Sequence, residues 1–497
     1  MFEYLMAGFA NVFQPMNLLL TVFGTVVGVV IGCLPGLSGS MGIILLLPLT
    51  YTLEKSAALV MLCGIFCGSM FGGSVSAILL RTPGTPSATA TLLDGYPLAQ
   101  QGKAGKAIGV AAVGSFVGGI VSTICLIFIA PQLAKVALKF HSADYFALAL
   151  FGISIMASSA GKNIIKGLIA GAVGLLISMV GTDPLVGAAR FNFGSTKMMI
   201  GFPQLAVLIG VFAISEVFNQ VQGGKNAVEV KEQAVTDVFP TFSEIKGFLL
   251  AAIVGSFIGV FIGIVPGTGG AIAVFLAYNV AQKISRHPEH FGHGSYEGIA
   301  APEAANNGTT GGALIPMLCL GIPGDTVTSV MLGALTLIGV TPGPQLFTQS
   351  ASIVYAIFAG MIVIQFIMLA FGIVFTRIAP KVLRVPVKYL MPIIMVLCIV
   401  GAFCLSNQVY HVAVAIAFGF IGYFMKKFGF PGAPLVLGVI LGPIAEKNLD
   451  RALQLSRNDW TIFFRRPIAL TFILLSVAMI LWTIISNIRK EKKAAKS

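Results

Sequence analysis

Three ionisable residues stand in or beside long apolar stretches of this chain: Arg81, Glu303 and Asp325. Charge at membrane depth is costly and is kept chiefly where it handles an ion, a proton or a charged solute. Arg81 closes an apolar run just before Pro83-Gly84, where its guanidinium could fork onto a carboxylate. The same position suits an interfacial arginine whose head reaches back to water. Asp325 follows Pro323-Gly324 and could hold a cation or a proton, or cap the helix after it. Glu303, in APEAANNG, is a third candidate; the polar stretch 283–297 before it places it at the membrane interface. Asp94 and Asp183 read as loop or turn residues.

Neutral oxygens and amides crowd around these charges. One half of the chain carries Gly72-Gly73-Ser74-Val75-Ser76 and then Arg81-Thr82-Pro83-Gly84-Thr85-Pro86-Ser87. The other carries Asn306-Asn307-Gly308-Thr309-Thr310 and then Pro323-Gly324-Asp325-Thr326. Such density between apolar runs costs free energy unless something satisfies it. A carboxylate with its coupling cation would do so; so would helix caps and interhelical hydrogen bonds. Two further runs, Leu37-Ser38-Gly39-Ser40 and Thr268-Gly269-Gly270-Ala271, follow Pro35-Gly36 and Pro266-Gly267. Freed carbonyls and hydroxyls there suit Na⁺, and a half-helix N-terminus suits a carboxylate. The alternative is that small residues simply let helices approach.

The elements that position these groups come in pairs. GVVIGCLPGLSGS at 28–40 matches GVFIGIVPGTGGA at 259–271, an offset of 231 (259 − 28). Pro83-Gly84 matches Pro323-Gly324 at an offset of 240 (323 − 83). Pro lacks a backbone donor and Gly weakens a helix, so each pair predicts a break. Bare backbone at membrane depth survives only against protein or a watery cavity, and paired breaks in two halves point to a transporter's binding site.

The 497 residues are 57% hydrophobic and 10% charged, against about 25% charge in soluble domains. The fold expected is an all-α polytopic membrane protein of about 10–13 crossings, in two repeats with broken helices or re-entrant hairpins. The expected division is a first repeat over 1–221, a polar cytoplasmic linker over 222–246, a second repeat over 247–460, and a C-terminal helix with basic tail over 461–497. Equivalent loops differ in charge: 1–16 has no Lys or Arg while Lys225, Lys231 and Lys246 precede the second repeat, and Lys103 and Lys106 have no basic counterpart in 341–351. That bias predicts inverted repeats with a cytoplasmic C-terminus. Arg465 and Arg466, ahead of the last apolar run, conflict with a simple final crossing there.

A net charge of +13 spread over short loops follows the positive-inside pattern and excludes a nucleic-acid face. No cleavable signal peptide is expected. The seven cysteines lie in apolar runs and read as packing residues, and His287, His290 and His293 read as part of a basic loop. No nucleophile–base set, phosphate loop or zinc signature supports an enzyme.

FGGSVSAILLRTPG, LLDGYPLAQQGKAGKAIG at 92–109, GIAAPEAANNGTTGGALIPMLCLGIPGD at 298–325 and LIGVTPGPQLF at 337–347 resemble the large membrane subunit of the tripartite tricarboxylate transporters. The resemblance runs along essentially the whole chain. It implies a bacterial inner-membrane permease working with a small membrane subunit and a periplasmic solute-binding protein. It also implies uptake of citrate or a related carboxylate on a Na⁺ or H⁺ gradient, with no other cofactor and an elevator-like movement of the hairpins. The family motifs fall on Pro35-Gly36, Gly72 to Ser74, Pro83-Gly84, Pro266-Gly267, Asn306-Asn307 and Pro323 to Asp325. Family members often read Asn-x-Pro-Gly-Glu where this chain has Arg81-Thr82-Pro83-Gly84-Thr85, a departure that bears on which carboxylate and which ion are used.

Residue chemistry and resemblance together set the expected substrate contacts: Ser38, Ser40, Gly73, Ser74, Ser76, Arg81, Pro83, Gly84, Thr85, Ser87, Asn306, Asn307, Pro323, Gly324 and Thr326. The expected cation ligands are Pro35, Gly36, Gly267, Thr268, Thr310 and Asp325. Membrane lipid is a further partner, and a homodimer is compatible with the sequence. The competing readings are a self-sufficient carrier without a binding protein, an ion channel, and a membrane-embedded enzyme or scaffold.

Overall fold

The computed structural model describes residues 2–158, 164–183, 186–223, 238–267 and 269–494. The chain opens with α1 (Phe2–Val12), α2 (Pro15–Cys33), α3 (Gly39–Thr50) and α4 (Lys55–Leu80). A 3-10 turn at Pro86–Ala88 leads into α5 (Leu92–Gln100) and α6 (Ala104–Ala137). Then come α7 (Ser142–Ser158), α8 (Ile164–Ser178) and a two-stranded antiparallel ribbon of β1 (Gly181–Thr182) and β2 (Ala189–Arg190), with Gly181 opposite Arg190. Next, α9 (Gln204–Leu208) passes through a π-helical stretch, Ile209–Ile214, into α10 (Ser215–Gly223). The later chain forms α11 (Phe242–Ile264), α12 (Gly269–Ile284), α13 (Tyr296–Leu320), α14 (Thr326–Leu337), α15 (Leu346–Gln349) and α16 (Ala351–Val382). It closes with α17 (Val387–Cys404), α18 (Val409–Lys427), α19 (Gly432–Leu455), α20 (Ile462–Arg465) and α21 (Pro467–Ala494).

This is an all-α polytopic membrane protein. Among the described residues seven helices are long and apolar enough to cross a bilayer, joined by six apolar helices of 10–17 residues. The 25-residue α13 is not among the seven, because Glu303, Asn306, Asn307, Thr309 and Thr310 dilute its apolar character. A total of about 10–13 crossings therefore requires several of the shorter helices to cross as well, with or without α13.

The chain divides into two units, Met1–Ala134 with Gln220–Leu397, and Lys135–Asn219 with Cys398–Ser497. In the first, α2 lies along α4 and α11 lies along α13. Lipid tails are as apolar as leucine, so such pairs are held by close packing rather than by escape from water. Glycines at four-residue spacing make that possible. A Cβ added at Gly24, Gly28 or Gly32 would run into the carbonyl of Met61, Ile65 or Ser69. Gly255, Gly259 and Gly263 meet the carbonyls of Ala301, Ala305 and Thr309 in the same way. Each contact in the first half recurs in the second, shifted by 231 on one helix (259 − 28) and by 240 on its partner (305 − 65). A buried apolar core containing Phe71, Ile108, Phe248, Ile299 and Phe375 fills the space around these pairs.

Asp94 corrects the sequence reading. It lies inside α5, fully buried, not in a loop. Its Oδ1 accepts from the backbone N–H of Gly292 (2.8 Å), Gly294 (2.9 Å) and Ser295 (2.8 Å), and its Oδ2 accepts from the Tyr278 hydroxyl at 2.9 Å. One carboxylate thus holds the α12–α13 connection onto α5. Asp183 does occupy the β1–β2 connection, where it pairs with Arg190 at 3.3 Å.

In the second unit α19 packs on α7 and α8, and α21 on α7. Asp144, fully buried in α7, accepts from Arg466 Nε and Nη2 at 3.1 and 2.9 Å, and from the backbone of His141 and Ala469. Arg466 is therefore taken up by an internal ion pair ahead of α21, which removes half of the charge conflict seen in the sequence. All seven cysteines are free thiols.

Two tests follow from this packing. Gly259→Ala should lower thermal stability in detergent, by about 1–3 kcal/mol of overpacking. Gly247→Ala on the same helix, where nothing lies within 4 Å of the added carbon, should be neutral or stabilising; equal behaviour of the two variants would refute the close-approach account. Asp94→Ala should expose the 286–295 connection to limited proteolysis, since each buried donor left unpaired costs about 1–3 kcal/mol. Asp94→Asn, which keeps an accepting Oδ1, should cleave more slowly than Asp94→Ala.

Candidate functional site

All four helix breaks fall in the first unit. After α2, the backbone turns through Pro35 and Gly36, whose φ of +90° is one that glycine adopts freely. Ser38 then caps α3, accepting from Met41 N at 3.4 Å and sitting 2.8 Å from the Ser40 hydroxyl. After α11, the matching turn uses Pro266 and Gly267; Thr268 lies outside the described residues. Gly267 N donates to Gly324 O at 2.7 Å, so the two breaks of the second half close on each other. In the first half Gly84 N donates to Gly73 O at 3.2 Å, and a Cβ on Gly84 would collide with Gly32 O. Its counterpart Gly324 is packed against Gly263 O and Ala313 Cα at 2.8 and 2.7 Å from an added Cβ.

The halves then exchange contacts. α3 of the first half packs on α14 of the second, and α12 of the second packs on the Pro86–Ala88 turn of the first. At atomic level, a Cβ on Gly39 would stand 3.6 Å from Val327, and one on Gly270 would stand 2.9 Å from the Ser87 Cβ. Gly39 and Gly270 are equivalent positions, and so are Ser87 and Val327. Gly270 also lies 3.6 Å, measured the same way, from Asn306 Oδ1.

That point gathers several of the expected residues. Thr85 packs on Gly73 and its hydroxyl is 3.3 Å from that of Ser87, which in turn reaches Met70 Sδ at 3.5 Å. Asn306 Nδ2 donates to Met70 O at 3.1 Å, but Asn306 Oδ1 finds no protein partner. Asn307 is wholly buried with neither side-chain atom paired. Only its carbonyl is engaged, accepting from Ser122 at 3.3 Å and Thr310 at 2.7 Å. Gln365 of α16 donates through Nε2 to Cys67 Sγ at 3.5 Å and leaves Oε1 unpaired. Each such buried atom left unpaired costs about 1–3 kcal/mol.

Glu303, the third ionisable candidate, is enclosed by protein. It is fully buried, one turn before Asn306 and Asn307, with Thr91 donating to Oε1 and Ser115 donating to Oε2 at 3.1 Å. Asp325 caps α14: its Oδ1 accepts from Thr328 N and Thr328 Oγ1, both at 2.7 Å. Arg81 stands apart. It is exposed at the end of α4, with φ 55°, and its guanidinium lies 5.6 Å from the centre of the Tyr96 ring. Its counterpart is Gly321, with φ 71°.

The remaining expected residues divide by what their side chains do. Ser74 and Ser76 bond back to Phe71 O (2.6 Å) and Gly73 O (3.2 Å), filling the helix rather than facing outward. Pro83, Pro323 and Thr326 form the breaks or the first turn after them, as the Pro-Gly pairs predicted. Sequence reasoning missed Thr91, Ser115 and Gln365. Gln365 was findable, being a lone amide within the apolar run 351–376; Thr91 and Ser115 are single hydroxyls that nothing marks.

Among the described residues, two sets of side chains have the spacing of metal ligands. His287, Glu289 and His290 are all exposed, and Asp183, Glu446 and Asp450 are half-buried. In the second set Arg190 already bonds Glu446 and Asp183, supplying the positive charge itself.

Residues 18–437 match the protein family described as the tripartite tricarboxylate transporter TctA family. The chain is 35% identical over 485 residues to a protein of Agrobacterium vitis described as "Uncharacterized 52.8 kDa protein in TAR-I ttuC' 3'region", covering 98% of this chain and 96% of that one. It is 34% identical over 234 residues to a second Agrobacterium vitis protein, "Uncharacterized protein in TAR-II ttuC' 3'region", covering 47% of this chain and 97% of that one. No solved structure matches. With the breaks and the buried amides in place, a match over this length establishes that the chain belongs to the tripartite tricarboxylate transporter TctA family.

Proposed function

We propose that this chain is the permease subunit of a binding-protein-dependent secondary transporter in a bacterial inner membrane. A periplasmic solute-binding protein delivers a tricarboxylate such as citrate, or a related carboxylate, and a small membrane subunit completes the assembly. A Na⁺ or H⁺ gradient drives uptake. The two halves act as inverted repeats, joined through the 222–246 segment, with the C-terminus in the cytoplasm.

The observation that carries this reading is the unpaired Oδ1 of Asn306, where the Ser87 turn meets the start of α12, with the wholly buried and unpaired amide of Asn307 next to it in sequence. Amide N–H and the first turns of α12 and α14 suit a carboxylate, while Asn and Thr oxygens suit a cation. Because the breaks of one half rest on helices of the other, moving one set of hairpins would carry the site with it. Arg81, exposed and outside this buried group, is assigned to drawing a carboxylate toward the site. Asp325, although a cap, supplies the negative charge closest to the α14 terminus and is assigned to cation coupling.

Reconstitution of the chain with its small subunit and binding protein should give saturable carboxylate uptake that requires all three and a cation gradient. Conductance without the binding protein would replace the proposal with a channel, and uptake by this chain alone would make it a self-sufficient carrier. Asn307→Ala should reduce uptake about tenfold or more at unchanged expression, the scale of one lost buried hydrogen bond to a charged ligand. Asp325→Asn preserves a good cap and removes the charge; it should weaken the dependence of uptake on Na⁺ or H⁺, and an unaltered dependence would remove Asp325 from coupling.

A further inference from the structure

We propose that the first unit also holds a binding site for the headgroup of an anionic phospholipid, at the N-terminal end of α11. A cavity of about 860 Å³ lies among the end of α5, the start of α11 and the α12–α13 connection. Lys103, Lys246 and Arg286 line it, and all three are exposed. The two carboxylates in the same wall are already engaged. Glu244 takes Lys106 at 3.0 Å and the Thr241 backbone at 2.6 Å, and Glu297 accepts from the Ser285 hydroxyl. Glu244 is neutralised by Lys106 and Glu297 is not, so three cations face one remaining carboxylate and the space keeps a net positive charge, which suits a phosphate-bearing anion.

The apolar part of the wall selects among such anions. Leu250 on α11 and Ile284 on α12 also line the cavity and are 62% and 45% exposed. A free phosphate gains nothing from them, whereas an acyl chain lying along α11 would cover them while its headgroup reaches Lys246 and Arg286. Basic pockets at the ends of transmembrane helices take anionic headgroups in this manner. The cavity is preformed: Asp94 fixes the backbone of Gly292, Gly294 and Ser295, and Lys246 lies 4.8 Å from the centre of the Phe242 ring. This site is independent of the transport reading and needs only that α11 spans the bilayer.

Delipidated full-length protein, titrated with lipid and followed by native mass spectrometry, tests the assignment. Wild type should bind cardiolipin about tenfold or more tightly than phosphatidylcholine. The triple variant Lys103→Gln, Lys246→Gln, Arg286→Gln should lose that preference. A triple variant of equal charge change elsewhere, Lys135→Gln, Arg377→Gln, Lys381→Gln, should keep it. No preference in wild type, or an unchanged preference in the first triple variant, overturns the proposal. Displacement of cardiolipin by pyrophosphate at the concentration where pyrophosphate binds alone also overturns it, in favour of a soluble phosphate. Should the first triple variant aggregate, Lys246→Gln and Arg286→Gln singly decide: each should weaken cardiolipin about threefold, and wild-type curves from both would reject the site.

Discussion

A helix interrupted within hydrocarbon exposes amides and carbonyls that lipid cannot pair, and every other feature of the first unit answers to that constraint. The answer here is backbone against backbone. Gly267 donates to Gly324 O, Gly84 donates to Gly73 O, and the carbonyls of Gly32 and Gly263 press on Gly84 and Gly324. None of these approaches tolerates a side chain. The Pro-Gly breaks and the glycine stripes of α2, α4, α11 and α13 are thus one device: the stripes bring the helices close enough for the breaks to satisfy each other.

Once the breaks are closed in this way, the half-helices that follow them have only one place to go. α3 reaches α14, and α12 reaches the Pro86–Ala88 turn, so each half supports the other's second break. An arrangement of this kind transmits force. Displacing α12 moves the surface against Ser87 and Asn306 directly, without a long chain of intermediaries.

Much of this was legible in the sequence because Pro and Gly act through the backbone, and backbone effects are local. Gly36, Gly84, Gly267 and Gly324 could be placed from their neighbours alone. Side chains whose roles depend on distant partners could not. Asp94 looked like a turn residue because the three N–H groups it accepts lie about 200 positions away in the chain, at Gly292, Gly294 and Ser295. Glu303 looked interfacial because the polar stretch before it hides how deeply α13 is enclosed. Arg81 read equally as a carboxylate partner or an interfacial arginine, because an arginine beside Pro-Gly gives no hint of the left-handed backbone that sets its side chain over Tyr96. The division into two units was also hidden, since each combines two segments far apart in the chain.

The equivalence of the halves is one of backbone and not of chemistry. Counting back by 240, Asn306 and Asn307 correspond to Phe66 and Cys67, Glu303 to Cys63, and Asp325 to Thr85. The polar groups have been collected on α13 and its break, while α4 keeps apolar or weakly polar side chains at the same places. A symmetric pair of breaks would offer a ligand two equal positions, but amides on one side only give it an orientation. Glu303, held by Thr91 and Ser115 one turn before the asparagines, adds a buried carboxyl group to that side. A cation beside it and a carboxylate beyond the amides would each meet the opposite partial charge. The duplicated scaffold thus supplies the movable cradle, and divergence of a single helix supplies its polarity.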